Sequence, residues 1–191
     1  ETIAHNYHAR KDQGFWHRFI DREHRFSFDT ESMFRMTVCD PSEWVPDTIE
    51  ELDGYLSKLL NDAKAPGIVV VDSLDAFSTE ETEERSEKRM KQVDAGKDIK
   101  QDGSYTVTTG APKFLSESLR ITMSKASATQ TAVFLLSQVR TKLGAMAFDP
   151  NKFNRNGGKA LDHWCDTIGW LRPLRFFGVG SEKDGTYRDT G

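Results

Sequence analysis

The run from Ile68 to Val71 constrains the fold more than any other part of the sequence. Its four residues are all apolar and β-branched, and turn residues bound it at Pro66-Gly67 and at Asp72. A strand with one face in water would alternate apolar and polar residues, so this run predicts a strand buried on both faces. Ala132 to Leu136 is a second apolar run of this kind. With helix signals between the runs, the sequence predicts an α/β fold: a mostly parallel central sheet flanked by helices.

The other elements follow from caps, breakers and periodicity, and we expect all 191 residues to form a single domain. Helices are predicted at residues 1–12, where Gly14 stops the helix, after the cap Asp47-Thr48, and from Pro112 to about Lys125. Further strands are predicted at Phe15–Ile20, Phe34–Cys39, 166–172 and 174–180. Residues 80–102 contain eight acidic and six basic side chains, which predicts a solvated helix or a mobile segment.

Composition excludes some classes of protein. The chain has 26 basic and 30 acidic residues and a net charge of -4, which excludes a uniformly basic nucleic-acid coat but not a local basic surface. Its apolar runs fall well short of the roughly 20 residues that a membrane helix needs, so we expect no membrane partner. Two cysteines, Cys39 and Cys165, cannot build a disulfide framework, which predicts a reducing, cytoplasmic location.

Polar side chains follow three of the predicted strands, at Asp21 to Glu23, at Asp72-Ser73 and at Ser137-Gln138. Ligands of open α/β sheets bind at the carboxyl ends of the strands. An aspartate there can hold Mg²⁺, usually through water, near nucleotide phosphates, and a carboxylate one strand over can activate water. Each signal is weak alone. An apolar strand that ends in an aspartate occurs by chance in many α/β proteins, and Asp72 would then only cap the chain after the strand.

The combination of segments is more specific, and it resembles the RecA recombinase family over most of residues 14–180. The matching segments are Phe19-Ile20-Asp21-Arg22-Glu23-His24, Ile68-Val69-Val70-Val71-Asp72-Ser73, Leu136-Ser137-Gln138-Val139-Arg140-Thr141-Lys142-Leu143-Gly144-Ala145-Met146 and Gly157-Gly158-Lys159-Ala160-Leu161. The most specific stretch runs from Gln138 to Leu161, which has the form of the family's second DNA-binding loop.

The resemblance implies a nucleotide site that binds ATP and Mg²⁺. Glu23 is similar to the catalytic glutamate that activates water, and Gln138 to the γ-phosphate sensor that switches the DNA loop. Asp72, followed by Ser73, is similar to the Walker B aspartate and would hold Mg²⁺ through water. Phe28 or Phe34 would stack on adenine, and the spacing does not decide between them.

The resemblance also implies a single-stranded DNA site in residues 140–158. Its expected contacts are Arg140, Lys142, Met146, Phe148, Lys152, Arg155, Gly157, Gly158 and Lys159. Residues 138–159 carry five cations against one acidic residue, with aromatic side chains between them, as a site for single-stranded DNA requires. The alternative interpretation is a solvated surface loop with buried aromatics.

The sequence departs from the family in one important respect. The phosphate-binding motif G-x-x-x-x-G-K-[S/T] does not occur in it. Residues 1–12 resemble the end of the helix that follows this motif, so we expect the chain to begin just past the phosphate loop and to stop before the family's C-terminal end. This polypeptide alone is therefore expected to bind ATP poorly and to be inactive, since the phosphates lack their main cradle.

The resemblance thus implies the DNA-dependent ATPase core of a RecA-type recombinase, in a viral or otherwise divergent form, that acts in homologous recombination and DNA repair. It would assemble on single-stranded DNA as a filament or a ring. Two alternatives remain: a ring helicase or regulatory ATPase of the same fold, and a non-catalytic module that binds DNA or a partner protein.

Overall fold

The computed structural model describes residues 1–95, 110–141, 153–155, 158–171, 178–179 and 188–189. The helices are α1 (Thr2–Arg10), α2 (Thr30–Phe34), α3 (Ile49–Asp62), α4 (Glu80–Asp94), α5 (Gly110–Ala128) and α6 (Gly158–Trp164). The strands are β1 (Trp16–Asp21), β2 (Gly67–Asp72), β3 (Thr131–Leu135), β4 (Val139–Thr141), β5 (Phe153–Arg155), β6 (Gly178–Val179) and β7 (Arg188–Asp189).

Strands β1, β2 and β3 form a parallel sheet in the order β1-β2-β3. The register places Asp21 of β1 beside Asp72 of β2, and Val71 beside Leu135 of β3. The β-branched run therefore occupies the central strand, where both of its edges are hydrogen-bonded. This confirms the α/β class and the parallel sheet predicted from the sequence.

The central strand is covered on both faces. Val69 and Val71 are fully buried in a cluster built from α3, α5 and α6, whose members include Leu56 and Leu119. Ile68 points to the other face and packs in a second cluster with Ile3 and Phe15. Because both faces of β2 are covered, none of the residues from Ile68 to Val71 is polar.

Helix α3, the crossover between β1 and β2, follows from local sequence signals. Helix α3 starts at a capping box, in which Thr48 accepts a hydrogen bond from the Glu51 amide and the Glu51 side chain accepts from the Thr48 amide. Its buried residues, Ile49, Leu52, Leu56 and Leu60, lie on the stripe that packs toward the sheet. Helix α1 ends at Arg10 and continues as a 3₁₀ turn, Lys11–Gln13, and Gly14 ends this helical segment in a left-handed conformation with φ 77°, as predicted.

The strand predicted at Phe34–Cys39 is wrong. Helix α2 occupies residues up to Phe34, and Arg35 ends it with φ 55°. Val38 is buried, but its amide donates to Thr30 Oγ1 at 3.1 Å instead of joining a strand. Alternating burial in this segment comes from side chains packing under α1, and it mimics a strand pattern.

The expectation that β3 is buried on both faces is also wrong. Thr131 is buried on the α5 side, but Phe134 on the opposite side is 49% exposed. The register puts Phe134 beside Val70, on the face covered by α1. In the described part of the chain, α1 covers β1 and β2 and leaves the matching face of β3 open.

Two further predictions concern the charged and C-terminal segments. Helix α4 buries none of its residues, as expected of the solvated segment, and residues 96–102 lie outside the described residues. Residues 166–171 are not a strand, since they make no ladder within the described ranges, and Leu171 is 97% exposed. Strand β6 falls inside the predicted strand 174–180, of which only 178–179 are described.

Each helix in the described part of the structure is too short or too polar to cross a membrane.

Removing the cap of α3 tests how far this helix depends on its first turn. Thr48→Ala should lower the free energy of unfolding by about 1 kcal/mol, because the Glu51 amide loses its acceptor. Thr48→Ser retains the acceptor and should lose less. Thr79→Ala removes the cap of α4, which buries nothing, and should have a smaller effect on global unfolding. Urea denaturation followed by circular dichroism measures all three, and equal losses for the two alanine variants would contradict this account.

Candidate functional site

The carboxyl ends of the three parallel strands meet at one edge of the sheet. Hydrogen bonds continue past the strands: the Arg22 amide donates to the Asp72 carbonyl at 2.8 Å, and the Leu74 amide donates to the Leu136 carbonyl at 2.9 Å. The residues that follow each strand are therefore held side by side. The peptide bond between Asp72 and Ser73 is cis.

Glu23 is the centre of this edge. Its Oε1 accepts hydrogen bonds from Ser73 Oγ at 2.6 Å and from Gln138 Nε2 at 3.0 Å. Arg25 lies on the other side of the carboxylate, with Nη1 3.8 Å from Oε2. The structure thus brings together Glu23, Ser73 and Gln138, which come from three different strand ends and were all selected from the sequence.

The hydrogen bonds and the nearby cation lower the pKa of Glu23. The Ser73 hydroxyl, then the Gln138 amide and the Arg25 cation, hold the pKa of Glu23 below its ordinary value. A lowered pKa means that Glu23 stabilises the folded chain above the ordinary glutamate pKa, and that this contribution is lost as the pH falls through the lowered value.

Asp72 behaves in the opposite way. Burial raises its pKa, and the neighbouring charges of Glu23 and Asp21 raise it further. Ionised Asp72 is therefore disfavoured in the fold, and its contribution to stability declines as the pH rises through the raised pKa.

Two interactions fix the segment that carries Glu23. Asp21 is buried, and its Oδ2 accepts a hydrogen bond from the Phe26 amide at 2.7 Å, which turns the chain back after β1. Arg22 forms an ion pair with Asp47, with 2.6 Å between Nη1 and Oδ1. Glu23 lies between these two anchors.

The two aromatic candidates for adenine stacking differ in environment. Phe28 is 68% exposed, and its ring contacts Phe26 edge-on with 5.6 Å between centroids. Phe34 packs against the cluster that contains Ile3 and lines an open groove of about 750 Å³ with residues of α1. Both remain predictions.

The segment expected to bind DNA begins directly after Gln138. Strand β4 pairs antiparallel with β5, so that Val139 lies opposite Arg155 and Arg140 lies opposite Asn154. Gly158 and Lys159 are the first residues of α6. The remaining residues expected to contact DNA lie outside the described residues: Lys142, Met146, Phe148, Lys152 and Gly157.

Sequence reasoning missed one residue of this edge, Asp75. Its Oδ2 accepts a hydrogen bond from the backbone amide of Gln138 at 2.7 Å. The contact joins residues 63 positions apart, so neither periodicity nor a motif indicates it. The only available signal is local, namely a second aspartate three residues after Asp72.

The described residues contain no group of three or more histidine, cysteine, aspartate or glutamate side chains arranged to hold a metal ion. Mg²⁺ does not require such a cage, since it keeps several waters and takes one or two carboxylates together with phosphate oxygens. Asp72, with Glu23 and Asp21 near it, is the described carboxylate that could hold an ion in that manner.

No protein-family model matches the chain, and a search of curated proteins finds no match either.

Removing the donors to Glu23 should raise its pKa in a graded order. Ser73→Ala should give the larger rise and Gln138→Ala the smaller one, because the Ser73 hydrogen bond is the stronger cause of the lowered pKa. Carboxyl carbon chemical shifts followed through a pH titration measure the change. Ser78→Ala removes an exposed hydroxyl that donates to Glu83, and it should leave the Glu23 titration unchanged. A reversed order for Ser73 and Gln138 would contradict the assignment.

Proposed function

We propose that these residues form the core of a RecA-type, DNA-dependent ATPase that binds single-stranded DNA and acts in recombination. The observation that carries the proposal is the placement of Glu23, with donors from the ends of β2 and β3 on one carboxylate oxygen. In a nucleotide hydrolase, a positioned side chain orients or deprotonates the attacking water near the metal-bound phosphates, and a carboxylate at a strand end beside an aspartate is suited to that role. Gln138 would be the polar group that responds to the nucleotide.

Glu23 would accept the proton of the attacking water. Its carboxylate is ionised at neutral pH, because its pKa lies below the ordinary value. Both described donors bind Oε1, and Oε2 faces Arg25 at 3.8 Å. If the Gln138 side-chain amide moved away, Glu23 would lose this hydrogen bond, and its pKa would rise and make it a stronger base. Gln138 is therefore suited to link the state of the nucleotide to the base.

Asp72, through water, would hold Mg²⁺, and Ser73 would keep Glu23 oriented beside it. Mg²⁺ neutralises charge that develops on phosphate oxygens. Phe28 or Phe34 would stack on the adenine of ATP. The chain lacks the G-x-x-x-x-G-K-[S/T] loop, so hydrolysis requires that loop to be supplied.

The expected DNA segment is coupled to this site through the chain itself. Strand β4 begins at Val139, one residue after Gln138. A displacement of the β4–β5 ribbon would therefore move Gln138 relative to Glu23. Binding of single-stranded DNA to Arg140, Lys142 and the following basic residues would thus change the contact between Gln138 and the catalytic carboxylate Glu23. This is the coupling that a DNA-dependent ATPase requires.

Replacement of the base tests the nucleotide part of the proposal. In the protein that carries these residues behind a phosphate-binding loop, Glu23→Gln should retain ATP binding and lose hydrolysis by about 10²–10⁴-fold, because the general base is removed. Glu31→Gln is the matched control, since Glu31 is an exposed carboxylate eight positions further along the chain. DNA-stimulated phosphate release measures the rate.

Two results would count against an ATPase. Unchanged turnover in Glu23→Gln would remove Glu23 from the mechanism. DNA binding without any hydrolysis by the unmodified protein would favour the alternative of a non-catalytic DNA-binding module.

Replacement of two cations tests the DNA part. Arg140→Ala with Lys142→Ala should weaken binding of single-stranded DNA equally for all base sequences. It should also make the slope of log affinity against log salt shallower by about 1.4, since each phosphate contact contributes about 0.7. Fluorescence anisotropy of a labelled oligonucleotide across a salt series measures both quantities.

The matched control removes the same charge at the other edge of the sheet. Lys58 and Lys64 are exposed and lie late in α3 or just after it, next to the amino end of β2. Lys58→Ala with Lys64→Ala should leave the slope nearly unchanged. Equal slopes for the two double variants would mean that residues 140–142 attract DNA only through net charge.

A further inference from the structure

We propose that Asp75 is a positioning residue that holds the backbone of Gln138 so that its side-chain amide reaches Glu23. This inference rests on the proposed function for the meaning of the Gln138–Glu23 contact. The geometry of the contact stands independently of it.

Asp75 lies on a single turn of 3₁₀-helix, Leu74–Ala76, that follows β2 directly. Its Oδ2 accepts the Gln138 amide at 2.7 Å, the length typical of a charge-assisted hydrogen bond. Its Oδ1 is buried and has no hydrogen-bond partner among the described residues. The bond to Gln138 is therefore the interaction that orients this carboxylate.

Gln138 needs such an anchor because it lies three residues beyond the end of β3. The last bond of the extended sheet ladder on this segment is the one between the Leu74 amide and the Leu136 carbonyl. Gln138 itself is exposed, and its described contacts are the Asp75 bond at the backbone and the Glu23 bond at the side chain. Packing therefore contributes little to its position.

The contacts close a ring. Ser73 donates to Glu23, Glu23 accepts from the side chain of Gln138, and the backbone of Gln138 donates to Asp75, two residues after Ser73. The short segment that follows β2 therefore holds both partners of the Glu23–Gln138 hydrogen bond, Glu23 through Ser73 and Gln138 through Asp75. Loss of the Asp75 carboxylate would release Gln138 and leave the Ser73–Glu23 bond in place.

Nuclear magnetic resonance of the chain without nucleotide tests the proposal at two sites of Gln138. Asp75→Ala should shift the Gln138 backbone amide proton upfield and accelerate its hydrogen exchange by about tenfold or more, because a bond to a charged acceptor is lost. It should also move the side-chain amide resonances of Gln138 to those of a free glutamine. Asp75→Asn keeps an acceptor oxygen but loses its charge, so it should leave the side-chain resonances in place and move the Gln138 backbone amide proton part of the way upfield. If the alanine variant does not fold, this partial shift of the amide proton carries the test, and its absence would contradict the proposal.

Asp53→Ala is the matched structural control. Asp53 also accepts a hydrogen bond across two elements, from the Ser118 hydroxyl, and lies on α3 away from the strand ends. It should leave both Gln138 signals unchanged. Side-chain resonances of Gln138 that stay in place in Asp75→Ala, or that move equally in Asp53→Ala, would overturn the proposal.

An ATPase assay distinguishes this inference from the proposed function. If the Gln138 resonances respond as described but the loop-carrying protein hydrolyses no ATP, the positioning role of Asp75 stands and the ATPase function fails. If hydrolysis occurs and the resonances do not respond, the ATPase function stands and the positioning role fails.

Discussion

The structure depends on the burial of β2. This strand is hydrogen-bonded to β1 on one edge and to β3 on the other, and its side chains enter a different apolar cluster on each face. A strand without a polar position is unfavourable wherever water reaches it, so both faces must be covered. Helices α3 and α5 cover one face, while α1 and the segment around Met36 cover the other. The helices that pack on the central sheet therefore meet this requirement first.

The same parallel arrangement creates the candidate site. Parallel strands end at one edge of the sheet, and there the chain leaves the ladder after Asp21, Asp72 and Leu135. Three side chains meet there, at one carboxylate oxygen of Glu23. Glu23 comes two residues after the end of β1, Ser73 one residue after β2 and Gln138 three residues after β3. Opposite effects then move the pKa values of the two acids apart, since hydrogen bonds lower the pKa of Glu23 while burial and like charge raise the pKa of Asp72.

Local signals predicted the elements that depend on local physics. The cap at Thr48, the glycine that ends the helical segment after α1 and the apolar run of β2 all act within a few residues, and the structure confirms each of them. The errors arise where burial comes from distant parts of the chain. Met36 and Val38 are buried in one cluster with Ile3 of α1 and Ile68 of β2, so residues 34–39 show the alternation of a strand without forming one. Phe134 is half exposed because, among the described residues, α1 does not extend over β3, although the sequence of β3 is nearly as apolar as that of a central strand.

The sequence by itself determined the α/β class and the strand-end residues Glu23, Asp72, Ser73 and Gln138, because strand ends and apolar runs can be recognised from neighbouring residues. Only the tertiary structure decided that Ser73 and Gln138 share one oxygen of Glu23, and that Asp75 holds the Gln138 backbone. Those contacts join residues between 50 and 115 positions apart. Their existence depends on the register of three strands and on how far each chain segment extends beyond its strand, which no local pattern of residues records.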